Sequence, residues 1–357
     1  MKKYTFYNTN NIDYAKVVMA FLVVAIHFSP LVSFDVETNY WLIQYIARLA
    51  VPFYFICNGY FVFFNRSMED GLMLVKSQAI KLLKLYLIWT VIYSPLIFLS
   101  IITKEDKLSE LLEKIRNFLF VGSYGQLWYL LSAAVALLLL YYVYKLVKSL
   151  KVCIIVATVL YGIGLLKDTY FFVLEGRGIA ELPVLESLIY YYDMFFDTTR
   201  NGIFMGFVFV CIGVALAQMK HFPLTNIIIL GLLASLLVGY IEINIHLLYT
   251  GHTYDVWPDA YIYLLPATIC LFIILLKGNE KQRNTRNIRK ISTLIYLIHM
   301  WPTRVWREMV ERFIPEDSVL QNSLFGYLLI MLSTLVLCLL VVKLSEKEKF
   351  SFLKNLY

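Results

Sequence analysis

The chain has 357 residues, of which 60% are hydrophobic and only 16% charged, and its mean hydropathy is +0.69. Soluble domains carry about a quarter charged residues, so this composition excludes an ordinary soluble domain and indicates an all-α, polytopic transmembrane helical bundle. The net charge of +7 does not indicate nucleic acid, because the basic residues cluster in short connectors as the positive-inside rule requires.

Apolar runs recur along the whole length and predict about ten spans. The first covers roughly 12–32 and the second 40–64, followed by a basic connector with Arg66, Lys76, Lys81 and Lys84. The third to fifth are expected near 82–102, 127–146 and 152–166, and the sixth to eighth near 201–218, 225–249 and 260–276. A strongly basic connector, KGNEKQRNTRNIRK, leads to an irregular ninth span at about 291–310, and the tenth covers about 323–343. Placing the N-terminus in the cytoplasm puts about two-thirds of the 32 Lys and Arg, Lys2, Lys3 and Lys220 among them, at cytoplasmic segments and span ends. The expectation is therefore N-in and C-in, with residues 1–357 forming a single membrane domain. Alternating ten-residue segments of the porin kind are absent, and no internal repeat supports an inverted-repeat transporter.

Two outer segments are more than simple loops. Residues 104–120 place Leu108, Leu111, Leu112, Ile115 and Leu119 at helical spacing with Lys and Glu opposite, which suits an amphipathic helix on the membrane surface. The 168–200 segment is rich in aromatics, including Tyr190, Tyr191 and Tyr192, and reads either as an interfacial belt or as a lid over a site.

The first span, IDYAKVVMAFLVVAIHFSP, carries Asp13, Lys16 and His27. Ionisable residues inside a membrane segment are costly and mark a functional site by default. Lys16 and His27 are eleven residues apart, only ~20° from a whole number of helical turns, so both lie on one helix face ~16 Å apart along the axis. A neutral imidazole there can take a proton, which suits a general base; the alternative is a bundle histidine bonded to a backbone carbonyl.

Other polar residues fall in or near the spans. Arg48, in the outer half of the second span, must be neutralised by a carboxylate or bind an anion. Glu242 and His246 form an i, i+4 couple that is either a buried hydrogen-bonded pair or part of an acceptor pocket. His299 is deep in the ninth span, as packing or as site. Asn58, next to Gly59, reads as an interhelical hydrogen bond, and Trp128 as an interfacial anchor; Arg200 precedes Asn201 at the start of the sixth span. No H-E-x-x-H or other ligand-spaced cluster suggests a metal, and no G-x-S-x-G elbow or phosphate-cradling glycine loop is present. The five cysteines lie in apolar runs with no C-x-x-C pair.

Together these residues resemble the acyltransferase-3 family of integral membrane acyltransferases. The resemblance rests on Lys16 to His27, on Arg48 with VPFYFICNGYF at 51–61, on LWY at 127–129, on RNG from Arg200 through Gly206, and on YLIH at 296–299. It implies transfer of an acyl group, usually acetyl, from cytoplasmic acyl-CoA to a hydroxyl of an envelope glycan or lipid-linked acceptor in a bacterial plasma membrane. Acetyl-CoA would be a co-substrate, with no permanently bound cofactor. His27 would be catalytic; Lys16, Arg48 and Trp128 would bind the donor; and Asn58, Arg200, Glu242, His246 and His299 would be substrate-binding or structural. Two positions depart from the family pattern. Lys16 replaces an arginine, keeping the charge but losing the bidentate fork, and Asn58 replaces a serine. The first spans are also similar to the membrane half of vancomycin-resistance serine racemases, which implies an alternative: a module that binds or transports L-serine or another small polar substrate. The chain read here ends at Tyr357, so only that membrane half is expected.

Overall fold

The computed structural model describes residues 9–219, 221–277, 283–315 and 318–357. Lys2, Lys3, Lys220 and part of the basic connector before the ninth span lie outside the described residues. Every regular element among the described residues is helical. Seven segments there are long and apolar enough to cross a membrane by length and composition: Asn10–Phe28, Val36–Phe63, Met68–Ile102, Lys107–Val147, Leu150–Lys167, Thr225–Tyr249 and Ser323–Ser345. Shorter apolar helical segments cover Gly202–Gln218 and Leu264–Leu276.

In chain order the helices are α1 (Asn10–Phe28), α2 (Val36–Trp41), α3 (Ala50–Phe63), α4 (Met68–Ile102), α5 (Lys107–Arg116), α6 (Trp128–Val147) and α7 (Leu150–Lys167). Then follow α8 (Phe171–Glu175), α9 (Pro183–Phe196), α10 (Phe207–Gln218), α11 (Thr225–Tyr249), α12 (Leu264–Leu276), α13 (Arg286–Ile298), α14 (Met300–Phe313) and α15 (Ser323–Ser345). The chain divides into two compact units. The first comprises the chain up to Phe53 with Phe222–Trp257 and Tyr263–Tyr357, and the second comprises Tyr54–His221 with Pro258–Ile262.

In the first unit, α13 packs on α1 and on α15, and α12 packs on α11. Helix α1 ends where Ser29 takes a left-handed conformation (φ 62°), its N–H bonding the Ala25 carbonyl at 2.9 Å, and Pro30 cannot continue the ladder. The irregular ninth span is α13 and α14 joined at His299. Pro302 lacks the N–H that would bond the carbonyl four residues earlier, at Ile298, and the helix breaks there.

In the second unit, α6 is the centre, packing on α4, α7 and α10. The stretch carrying Lys76, Lys81 and Lys84, expected as a connector, is the first half of α4. Ser67 caps it by accepting from the Asp70 N–H at 3.1 Å, and no proline interrupts it before Pro95. At 35 residues it is about 52 Å long, well beyond a ~30 Å hydrocarbon core, so its charged first turns extend past the apolar layer. Lys76 lies over the Tyr141 ring, 4.8 Å from its centroid, and lysines at these positions favour helix. Helices α3 and α10 cross closely. A Cβ on Gly59 would collide with the Val210 carbonyl, and one on Gly213 with that of Ile56, the small-residue contact typical of membrane helices. The expected amphipathic helix is α5, capped by Asp106 and with none of its residues buried. Helix α9 likewise buries no residue, and Tyr190 and Tyr191 are exposed.

Candidate functional site

At the start of α1 the organising group is Asp13, only 1% exposed. Its carboxylate pairs with Lys16 Nζ at 3.2 Å, accepts from Thr285 Oγ1 at 2.6 Å and lies 3.6 Å from Arg289 Nε. Lys16 therefore does not stand as a lone cation: the i, i+3 spacing puts it beside Asp13 on the same helix face. The Lys16 side chain is 13% exposed and that of Arg289 52%, so one buried carboxylate holds two cations and the cluster keeps a net positive charge. Thr285 and Arg289 were not singled out in the sequence, because only the packing of α13 on α1 brings them to Asp13.

Eleven residues along α1, ~16 Å up the axis, His27 is half-buried and its ring stands 5.3 Å from that of His299, inclined at 35°. His299 is fully buried. Its Nδ1 is 3.1 Å from the Ile295 carbonyl oxygen, and its Nε2 has no hydrogen-bond partner among the described residues. Arg307 of α14 donates to the backbone carbonyl of His27 at 2.7 Å. Two histidines identified separately in the sequence thus form one pair.

The other first-unit candidates form a second polar group. Arg48 is 8% exposed; its Nε donates to Gln44 Oε1 at 3.2 Å and its Nη2 to the Trp257 carbonyl at 3.3 Å. Tyr263 donates to the Gln44 and Tyr45 carbonyls at 2.9 and 2.8 Å, and its own N–H donates to Glu242 Oε2 at 3.1 Å. Glu242 and His246 are both buried, so the i, i+4 couple sits inside the unit, with Tyr263 linking its carboxylate to the Gln44 backbone.

Three further candidates belong to the second unit. Asn58 Nδ2 donates to Tyr129 Oη at 2.7 Å, the interhelical bond expected of it. Trp128 is 7% exposed, with the Arg200 guanidinium 4.9 Å from its ring centroid. Arg200 also pairs with Asp259 at 2.9 Å, and Thr198 Oγ1 donates to the other Asp259 oxygen at 3.1 Å. Trp128 is thus a buried stacking partner of a cation, whereas its sequence position also suits an interfacial anchor. Asn201 caps the next helical turn by accepting from the Ile203 and Phe204 N–H groups. Asp259 carried no sequence signal. Among the described residues no group of three His, Cys, Asp or Glu side chains is placed to hold a metal ion.

The chain is similar to proteins named as racemases. It is 27% identical over 351 residues to an amino-acid racemase of Enterococcus faecalis, covering 97% of this chain and 47% of that protein. A second Enterococcus faecalis amino-acid racemase is 29% identical over 349 residues, with 95% and 46% covered, and a serine/alanine racemase of Enterococcus gallinarum is 28% identical over 349 residues, with 96% and 47% covered. The chain spans about half the length of these relatives. No solved structure matches it. Residues 9–343 match the acyltransferase-3 model, described as an acyltransferase domain. With long apolar helices recurring through its described residues, the chain is a membrane protein that belongs to the acyltransferase-3 family.

Proposed function

We propose that this chain is an integral membrane O-acyltransferase of the bacterial plasma membrane. It takes an acyl group, acetyl first among candidates, from cytoplasmic acyl-CoA and delivers it to a hydroxyl of an envelope glycan or lipid-linked acceptor. The observation that carries this reading is the stripe on α1. At one end Lys16, fixed by Asp13 with Arg289 beside it, forms a cationic cluster; at the other, His27 sits half-buried against His299. An extended pantetheine arm is roughly as long as the ~16 Å between them. The cations hold the anionic nucleotide end, and His27 takes the proton of the acceptor hydroxyl beside the thioester. The charge distribution along the chain supports N-in, C-in, which puts the cations at the cytoplasmic side and His27 in the outer half of the bilayer. The test is acyl transfer from acetyl-CoA by the chain in nanodiscs: His27→Ala abolishes it, and retention of wild-type transfer sinks the assignment.

A second reading has its own support. The relatives are named as amino-acid racemases, and the buried network round Tyr263 includes both Glu242 and Gln44, the latter a hydrogen-bond partner of the Arg48 guanidinium. Groups of both signs suit a zwitterion such as L-serine. Saturable serine uptake by proteoliposomes, with no acetyl-CoA binding to the purified chain, would favour this reading over transfer.

A further inference from the structure

A histidine that takes a proton from a hydroxyl carries two N–H groups. One faces the oxygen that lost the proton, and the other needs an acceptor to hold the ring in place; in Ser-His-Asp sites a carboxylate serves. The elements packed round α1 and α13 offer few acids among the described residues. Asp13 is held at the far end of α1, Glu308 is ion-paired with Arg304 and Arg312, and Glu311 is exposed. Among the other described groups on the packed helices, Arg307 donates to the His27 carbonyl, and Tyr327 of α15 donates to that of Phe21. Tyr296 packs against the far ring, its centroid 6.4 Å from that of His299.

His299 offers an acceptor of the kind such a ring needs. A carbonyl only accepts, so the contact between Nδ1 and the Ile295 oxygen fixes the ring proton on Nδ1 and leaves a lone pair on Nε2. That lone pair is fully buried and receives no donor among the described residues, in a ring 5.3 Å from His27. Buried acceptors are rarely left unmade, and a phenylalanine would fill this space without the polar atom.

We infer that His299 is the positioning partner of His27: once His27 has taken the acceptor's proton, its second ring N–H donates to Nε2 of His299. The inference rests on the proposed transferase reading of His27. In the step, the acceptor O–H bond breaks and an N–H bond forms on His27, while the oxygen electron pair attacks the thioester carbon. The C–S bond then breaks, and the proton passes from His27 to the departing sulfur. His299 neither gains nor loses a proton.

The test uses the full chain in nanodiscs, acetyl-CoA as donor and a bacterial envelope extract as acceptor source, with free CoA as the readout. His299→Phe is expected to lower kcat by ~100-fold with KM for acetyl-CoA unchanged. His299→Gln, whose side-chain oxygen accepts a hydrogen bond, is expected to recover to within ~10-fold of wild type. Full turnover in His299→Phe, or equal losses in the two variants, overturns the inference. Turnover retained in His27→Ala overturns instead the reading of His27 as base, so the two failures are distinct. Should acetyl-CoA not turn over, ¹⁵N-histidine spectra decide: the His299 Nε2 resonance is expected to move when acid protonates His27, and not to move in His27→Ala. A resonance unaffected by the His27→Ala change overturns the inference as well.

Discussion

The two ends of α1 deal with polarity in opposite ways. At the Lys16 end, full charges are balanced against each other around one buried carboxylate, and the arrangement would stand without any ligand. At the His27 end, two imidazoles lie side by side and one nitrogen is left buried without a donor. The first pattern is what a stable fold requires of a charge in a membrane protein. The second leaves a hydrogen bond unmade, a cost a fold does not need to carry. Chemistry is therefore expected at the His27 end and anchoring at the Lys16 end.

Substitutions separate these roles. His27→Ala should give the largest effect, a loss of acyl transfer of ~10²–10⁴-fold, the range for removing a general base, with the melting temperature nearly unchanged because the side chain is only half-buried. Transfer rate and thermal unfolding measured on the same nanodisc preparation check this. Asp13→Ala should act first on stability. It removes the carboxylate from between Lys16 and Arg289, and breaking a buried pair from one side costs about 3–5 kcal/mol of stability. Asp13→Asn combined with Lys16→Met should recover part of that loss. If Asp13→Ala leaves the melting temperature unchanged but abolishes transfer, the division between anchoring and chemistry is wrong.

Much of this was legible in the sequence, and the boundary is physical. Helical periodicity placed Lys16 and His27 on one stripe, and the positions of all ten expected spans carry helix. Local rules reach only about four residues along a helix. Asp13 was in view as an ionisable residue, and its i, i+3 spacing to Lys16 was the available sign that the cation is paired. Thr285, Arg289, Asp259 and the meeting of His27 with His299 depend on helices far apart in the chain, and no single-sequence pattern encodes them. By charge density the basic stretch after Arg66 reads as a connector, but it is the first half of α4. Lys76, Lys81 and Lys84 all favour helix, and Ser67 is a ready N-cap.

A smaller effect tests the anchoring end directly. Lys16→Arg restores the guanidinium that the family pattern has at this position, and Arg289 already supplies one nearby. If the cluster binds the phosphate end of acyl-CoA, Lys16→Arg should tighten acetyl-CoA binding by roughly 2–10-fold through bidentate contact, with kcat unchanged. Isothermal titration checks it, and weaker binding in this variant would move the anionic end of the donor elsewhere.

The smallest effect concerns a carboxylate that, unlike Asp13, faces water. Asp35 caps α2, accepting from the Thr38 N–H at 2.7 Å and from the Thr38 hydroxyl. Those hydrogen bonds, the hydroxyl first, hold its acid below the ordinary carboxylate value. A depressed folded-state pKa stabilises the cap above the unfolded pKa, near 4, and that contribution is lost as pH falls through the lower folded value. Protection of the Thr38 amide against hydrogen exchange, corrected for the intrinsic rate at each pH, should therefore be flat from neutral pH to about 5 and decline below about 4. Asp35→Asn keeps a capping oxygen but has no proton to gain, so its protection should stay level across the same range. A decline of the same size in Asp35→Asn would mean that the loss comes from general unfolding rather than from protonation of the cap.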